Sequence, residues 1–277
     1  MAYAPYLRAA PDMNPVPRVQ ITFRTMPTAA ATATVSRTAA GRTYRVRGGI
    51  KITATGGFSL LDYECPFGVT ATYSAVVYDT AGNQIAVTDT ASTVLYVTGT
   101  CIHQPLDPTR KVMSRYLALK GTADTLSREF VGDIVRPQGR SVPVWIGSGR
   151  GGLTGVNLPF VTMTAADEAA LASIFGDYAD TQIPIMCVRT SLPLGLPAPF
   201  FGVIRKPVRQ GWNQHTGLST VLWDLTADET APPAEALLVV ILTYKDIENS
   251  YRSYSGIEHM YNTYLEAESD DPIAGTA

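Results

Sequence analysis

Tyr73-Ser74-Ala75-Val76-Val77-Tyr78-Asp79-Thr80-Ala81-Gly82-Asn83-Gln84-Ile85-Ala86-Val87-Thr88 reads as two strands and the turn that joins them. Successive side chains of extended backbone point to opposite faces. Tyr73, Ala75 and Val77 therefore share one face, and Ser74, Val76 and Tyr78 the other. Asp79 to Asn83 closes the hairpin, because Gly82 can take positive φ and the Asp and Asn side chains can bond the turn backbone. Upstream, Thr43-Tyr44-Arg45-Val46-Arg47 alternates before Gly48-Gly49, and Ile50-Lys51-Ile52 follows. Downstream, Thr93-Val94-Leu95-Tyr96-Val97 is again strand-like. Residues 44–97 thus predict short antiparallel strands packed as a β-sandwich.

The remaining chain divides around that unit. A length of 277 residues suits two domains. Residues 1–18 carry Pro5, Pro11, Pro15 and Pro17, which predicts an extended N-terminal arm or covering segment. The first domain spans 19–102. Within it Arg18 to Phe23 alternates as a strand, and the Ala/Thr-rich run from Thr28 to Thr38 fits a weak edge strand. Phe58, Leu60 and Leu61 are expected to bury before Asp62-Tyr63-Glu64-Cys65-Pro66-Phe67-Gly68 turns. His103-Gln104-Pro105-Leu106-Asp107-Pro108 breaks the pattern and marks the boundary.

A second β-rich domain, barrel or sandwich, covers 103–235. Arg115 to Leu119 is a candidate strand, and Leu126, Arg128 and Phe130 alternate in the next. Val142-Pro143-Val144-Trp145-Ile146 is apolar enough to be buried, with Pro143 favouring an edge or bulge. Ser148 to Gly152 reads as a flexible hairpin or loop. Thr164 caps a helix near 165–175, with Asp167 at its third position, Leu171, Ile174, Phe175 and Tyr178 on its inner face, and Gly176 at its stop. Further strands are expected at Ile183 to Val188, at Phe200 to Ile204 and around Val221, Trp223 and Leu225. Ser191 to Pro199 is a loop, and Val208 to Gly217 a turn or hairpin tip. Residues 236–277 hold an apolar strand or link and then short helical segments. Tyr244, Ile247, Tyr251, Tyr254, Tyr261 and Leu265 keep near-helical spacing there. The end is acidic. This aromatic seam either packs onto the second domain or meets another subunit, where tyrosine supplies apolar area with a polar tip. The candidate interface residues are Tyr251, Tyr254, Tyr261 and Tyr264.

The composition narrows the function classes. Charged residues make up 17%, against roughly 25% in an ordinary soluble domain, which suits a surface covered by neighbours. A net charge of −2 argues against broad nucleic-acid binding. No apolar run approaches the roughly 20 residues needed to span a bilayer, and no signal peptide is evident. Cys65, Cys101 and Cys187 are odd in number and widely spaced, which predicts free thiols rather than a disulfide scaffold. His103, His215 and His259 lack zinc-site spacing. Gly147 to Gly152 lacks the Gly-Lys-Ser/Thr ending of a phosphate loop. Asp62 and Glu64 form the one tempting carboxylate pair. Cys65, in a turn, has no assignable base. No local motif points to an enzyme, a cofactor or a metal.

Several short motifs together carry a family likeness. They are Tyr44-Arg45-Val46-Arg47-Gly48-Gly49, Leu61-Asp62-Tyr63-Glu64-Cys65-Pro66-Phe67-Gly68, Ala71-Thr72-Tyr73, Gln138-Gly139-Arg140-Ser141-Val142-Pro143-Val144 and Ser148-Gly149-Arg150. Trp223 and the tyrosines from Tyr244 to Tyr264 complete the set. Over roughly residues 20–265 the chain resembles minor tail proteins, of the distal tail or baseplate type, from long-tailed phages of actinobacteria. The resemblance implies a fibronectin-like or related sandwich with a second β-rich domain. It also implies a structural virion protein, assembled in the host cytoplasm and located in the tail. Such a protein would form an adaptor ring, hexameric or else trimeric, between the tail tube and the other tail-tip proteins. It implies no catalytic residues. The alternative is a carbohydrate-binding tail module for host attachment, with Trp212 at a hairpin tip as the sugar platform. A cell-wall hydrolase and a capsid or major tube protein are more distant alternatives.

Overall fold

The computed structural model describes residues 3–114, 121–176, 181–211 and 220–234, with Ile247, Tyr251, Met260 and Tyr261 in addition. The fold is mainly β, and the first unit is sandwich-like. Its smaller sheet places β1 (Tyr6–Ala10) and β6 (Phe58–Asp62) on either side of β2 (Arg18–Phe23). In its larger sheet β3 (Thr32–Ala39) pairs with β7 (Thr70–Tyr78) along its whole length. The outer side of β3 takes β4 (Arg42–Arg45) and β5 (Ile52–Thr53), and that of β7 takes β8 (Gln84–Val87) and β9 (Ala91–Val94).

Alternation sets the faces. Tyr73, Ala75 and Val77 are fully buried, as the period of two requires. They share one core with Val35 and with Ile21, Phe23, Phe58 and Leu60 of the opposite sheet. Phe23 and Phe58, paired across strands, stack with ring centroids 4.8 Å apart. The β7–β8 turn follows its chemistry. Gly82 has φ +83°, and the Asn83 amide donates to Asp79 Oδ1 at 2.8 Å.

Two expectations for this unit change. The N-terminal segment, expected as an extended arm or covering segment, carries a strand of the first unit, since β1 pairs with β2. Its prolines lie outside the strands, and Val16 is fully buried. The Ala/Thr-rich β3 is an interior strand, because two short strands cover the side left open by β7. Small side chains fit a position flanked on both sides.

The second unit opens with a six-stranded sheet. Its order is β11 (Lys111–Ser114), β10 (Thr100–His103), β16 (Ile185–Thr190), β17 (Phe200–Val203), β20 (Thr226–Glu229) and β14 (Val156–Asn157). A three-stranded sheet of β15 (Phe160–Thr162), β19 (Val221–Asp224) and β18 (Val208–Gly211) contributes to the same core. Of the turn or hairpin tip expected over Val208 to Gly217, residues 208–211 form β18, which pairs with β19, and the rest lie outside the described residues. Helix α1 (Ala165–Phe175) adds Leu171 and Ile174 to that core, and Phe175 stacks near Trp223. Thr164 accepts from the Asp167 amide at 3.1 Å, and Gly176 with φ +71° ends the helix. The remaining pair, β12 (Ser127–Val135) and β13 (Val144–Thr154), forms a separate two-stranded ribbon.

The boundary expected between residues 102 and 103 falls inside β10. Cys101 belongs to the first core and Ile102 to the second. β16 likewise sends Val188 into the second core and buries Arg189 against the first unit. One sheet thus has a hydrophobic face on the second unit and a mixed face on the first. Ile247, Tyr251 and Met260 have helical backbone and Tyr261 does not, while the other residues of the C-terminal helical expectation and the strand at 115–119 lie outside the described residues.

Candidate assembly surface

The polar residues that could suggest chemistry are locked inside the first unit. Asp62 ends β6, and both its oxygens lie 2.7 Å from one nitrogen of Arg37. It also accepts from Tyr73 Oη at 2.9 Å and from the Glu64 amide at 2.9 Å. Burial works against the Arg37 charge, but Asp62 beside it raises the guanidinium above its ordinary value. Glu64 accepts from Arg47 Nε at 2.7 Å, while burial pushes its carboxyl upward. Glu64 walls a cleft of about 550 Å³ with Tyr44, Arg45 and Pro233, and Asp62 does not line it. The two acids therefore do not form a pair across a common cleft.

The cysteines are structural in setting. All three are free and buried. Burial pushes the Cys65 thiol up to about 12, and its side chain is fully buried. His103 is also enclosed, and burial, aided by the Arg189 charge, holds it down at about 3. His215 and His259 lie outside the described residues. No cluster of three or more metal-ligating side chains occurs among the described residues.

The surface shows the opposite chemistry at the β12–β13 ribbon. Eight of the fifteen exposed large apolar side chains among the described residues lie between Leu126 and Ile146, so the exposure is concentrated there. Phe130, Ile134 and Trp145 lie on one face, to judge from their cross-strand pairs, and Val131, Val135 and Ile146 on the other. Both faces are open. Among the described residues each strand pairs only with the other, so both outer edges also keep unpaired backbone groups. At about 3.3 Å per residue, the nine residues of β12 make an arm about 30 Å long.

Glycines shape this arm. Gly132 and Gly147 face each other, and a Cβ on Gly132 would lie 2.6 Å from Gly147 Cα and 2.7 Å from Trp145 Cζ2. The Trp145 indole lies over the space left by the missing side chains. This arrangement puts an aromatic ring on a weak glycine pair, the usual way to support such a site. Nearby, Arg150 lies over the Phe130 ring at 5.4 Å. At the tip, Gly139 with φ +85° allows the Arg140 amide to donate to Pro137 O at 3.2 Å.

Here the sequence reading is corrected twice. Val142 to Ile146 was expected to be buried, yet Val142, Trp145 and Ile146 are 71%, 47% and 61% exposed. Ser148 to Gly152 was expected to be a loop, yet it runs as the middle of β13. Cross-strand pairing to β12 holds this Gly-rich segment extended. The signal missed was an apolar strand followed by Gly-rich extended sequence, which has no body residues to pack against.

Of the candidate tyrosines, Tyr251 and Tyr261 come together. The Tyr261 hydroxyl donates to that of Tyr251 at 2.8 Å, and the rings meet edge to face at 5.5 Å. Both are half-buried. Tyr254, Tyr264 and the sugar-platform candidate Trp212 lie outside the described residues. Among the described residues no helix is long and apolar enough to cross a membrane. No family model, curated protein or solved structure matches the chain.

Three outcomes are expected. Asp62→Asn should lower unfolding stability in urea by about 3–5 kcal/mol, because it leaves Arg37 buried beside a neutral partner. Arg205→Gln, at an ion pair whose members are 83% and 42% exposed, should cost less than about 1 kcal/mol. A similar loss in both would remove the special role of the Asp62 site.

His103 sets a pH dependence. Its folded pKa lies below 6.5, so its contribution is complete above pH 6.5 and is lost as pH falls towards about 3. Glu64, pushed upward, acts in the opposite sense above its own unfolded value of 4.5. Because the two slopes oppose each other, the His103 contribution is read by difference: as pH falls below 6.5, the melting temperature of His103→Gln should fall less, or rise more, than that of the parent. An unchanged slope would contradict the assignment.

Gly132→Ala should separate β12 from β13 locally. Amide exchange along residues 127–152 should accelerate, while the global unfolding free energy changes by less than about 1 kcal/mol because the arm, except Leu153 at its base, lies outside both cores. Protection equal to that of the parent would show that the close approach is not needed.

Proposed function

We propose that this chain is a structural, self-assembling subunit of a phage tail, acting as a distal tail or baseplate adaptor ring between the tail tube and the tip. The observation that carries the reading is the β12–β13 arm, which exposes apolar side chains on both faces and backbone on both edges. A monomer gains nothing from such an arm, and isolated two-stranded ribbons are marginal in water. A neighbour that covers it gains apolar burial and can add strand pairing. The low proportion of charged residues and the resemblance to minor tail proteins support the same reading. A hexamer suits a tail tube, and a trimer would suit a central hub. The virion tail is the proposed location.

The experiment is native mass spectrometry with negative-stain imaging, on the parent and on a triple variant carrying Val131→Thr, Ile134→Thr and Ile146→Thr. These changes keep β-branched side chains and leave both cores untouched. The parent should form a closed ring with an axial channel, and the variant should stay monomeric with the parent's circular dichroism. A parent chain that remains monomeric over a wide concentration range, both alone and with tail tubes, overturns the proposal.

A further inference from the structure

Glu229, in β20, stands where the arm meets the rest of the molecule. Its Oε1 accepts from Arg42 in β4 at 2.9 Å, which reaches across from the first unit. Its Oε2 accepts from the Leu153 amide at the base of β13, also at 2.9 Å. Arg128, at the base of β12, brings a guanidinium nitrogen to 3.4 Å from that same oxygen. Gly152 permits the close fit, since a Cβ there would lie 3.3 Å from the Glu229 Cβ. The adjacent Asp228 accepts from the Gly155 amide at 2.9 Å, where the chain leaves the arm for β14.

The carboxylate is the enclosed member of this group. Its side chain is 11% exposed, against 37% for Arg42 and 30% for Arg128. Partial burial works against its charge, but the Leu153 amide and Arg42 hold it below its ordinary pKa.

We infer that Glu229 is a latch that fixes the angle of the arm against the first unit. A ribbon attached at one end can swing about its base. Here one carboxylate binds the backbone of one strand, a side chain of the other, and a side chain of a separate sheet. Length makes the angle matter. An arm about 30 Å long that tilts by about 10° moves its tip about 5 Å, close to the spacing between paired strands. A tilt of that size would shift a docked neighbour by a full strand. Closed symmetry requires the same angle at every contact, and a heterologous contact that misses closure becomes an open helix. The consequence for ring closure rests on the function proposed above, whereas the latch is a property of one chain.

The test measures a distance across the latch. The three native cysteines are buried, so spin labels can be directed to Gln138→Cys at the arm tip and Ala81→Cys at the β7–β8 turn, both exposed positions. Labelled chain is diluted with unlabelled chain to suppress distances between copies. The parent should give one narrow distribution. Glu229→Ala should at least double its width. Glu229→Gln and Arg42→Gln should broaden it less, because the Leu153 amide keeps an acceptor in each.

A parent-like width in folded Glu229→Ala overturns the latch. Should that variant fail to fold, parent-like widths in both Glu229→Gln and Arg42→Gln overturn it instead. Ring imaging of the same variants separates the two ideas. Broadened distances with open or absent rings support the latch and the assembly reading together. Broadened distances with rings intact support the latch and remove the arm from ring closure.

Discussion

A guanidinium buried between two hydrophobic cores is costly unless oxygen or ring electrons lie beside it, and Arg189 places that constraint at the junction of the two units. It donates to Pro17 O at 2.6 Å and to Cys65 O at 3.2 Å, and it lies over the Phe67 ring at 4.7 Å. These partners sit at the entry to β2 and in the turn after β6. The residue itself sits in the sheet of the second unit. The charge is costly to bury without such partners, so the arrangement holds the two units in one relative position. Lys111 to Met13 O and the Gly99 amide to Ser191 reinforce the same junction.

That sheet also carries the arm. β16, which holds Arg189, pairs with β17, and β17 pairs with β20, which holds Glu229. A junction on one side of the sheet and a latch on the other are thereby joined through backbone hydrogen bonds. Arg42 closes the path by reaching Glu229 from the first unit. The first unit therefore does more than add mass beside the arm. It supplies a fixed frame against which the arm is held.

The distribution of chemistry in this chain departs from the usual one in two places. Arg37, Asp62, Glu64 and Arg189 are buried, while Phe130, Val131, Ile134 and Ile146 are exposed. The buried ions are each met by a counter-charge, by carbonyls or by a ring, as interior charges require. The exposed apolar residues have no such local solution, since a two-stranded ribbon cannot bury either face on its own. In the assembly proposed above, a neighbouring subunit would cover them. On that proposal the low charge of the sequence has a physical sense, because a surface covered by neighbours needs few solvated groups.

Short-range periodicity and turn chemistry determined a large part of this fold. Tyr73, Ala75 and Val77 are buried together because alternate residues of any strand share a face. The turn from Asp79 to Asn83 and the cap at Thr164 follow from hydrogen bonds made within five residues. Val221 and Trp223 face the core for the same reason as the β7 set. Tertiary structure decided what lies against each face. β1 joined its own sheet, β3 became interior when β4 and β5 covered its second side, and Val142 to Ile146 came to the surface although its composition suits a core. The exposed apolar ribbon was hidden from the sequence for that reason, and so was the Glu229 site, whose partners Arg42 and Arg128 are distant along the chain. Periodicity reports which side chains point the same way, but only the packing of distant segments determines whether protein or water meets them.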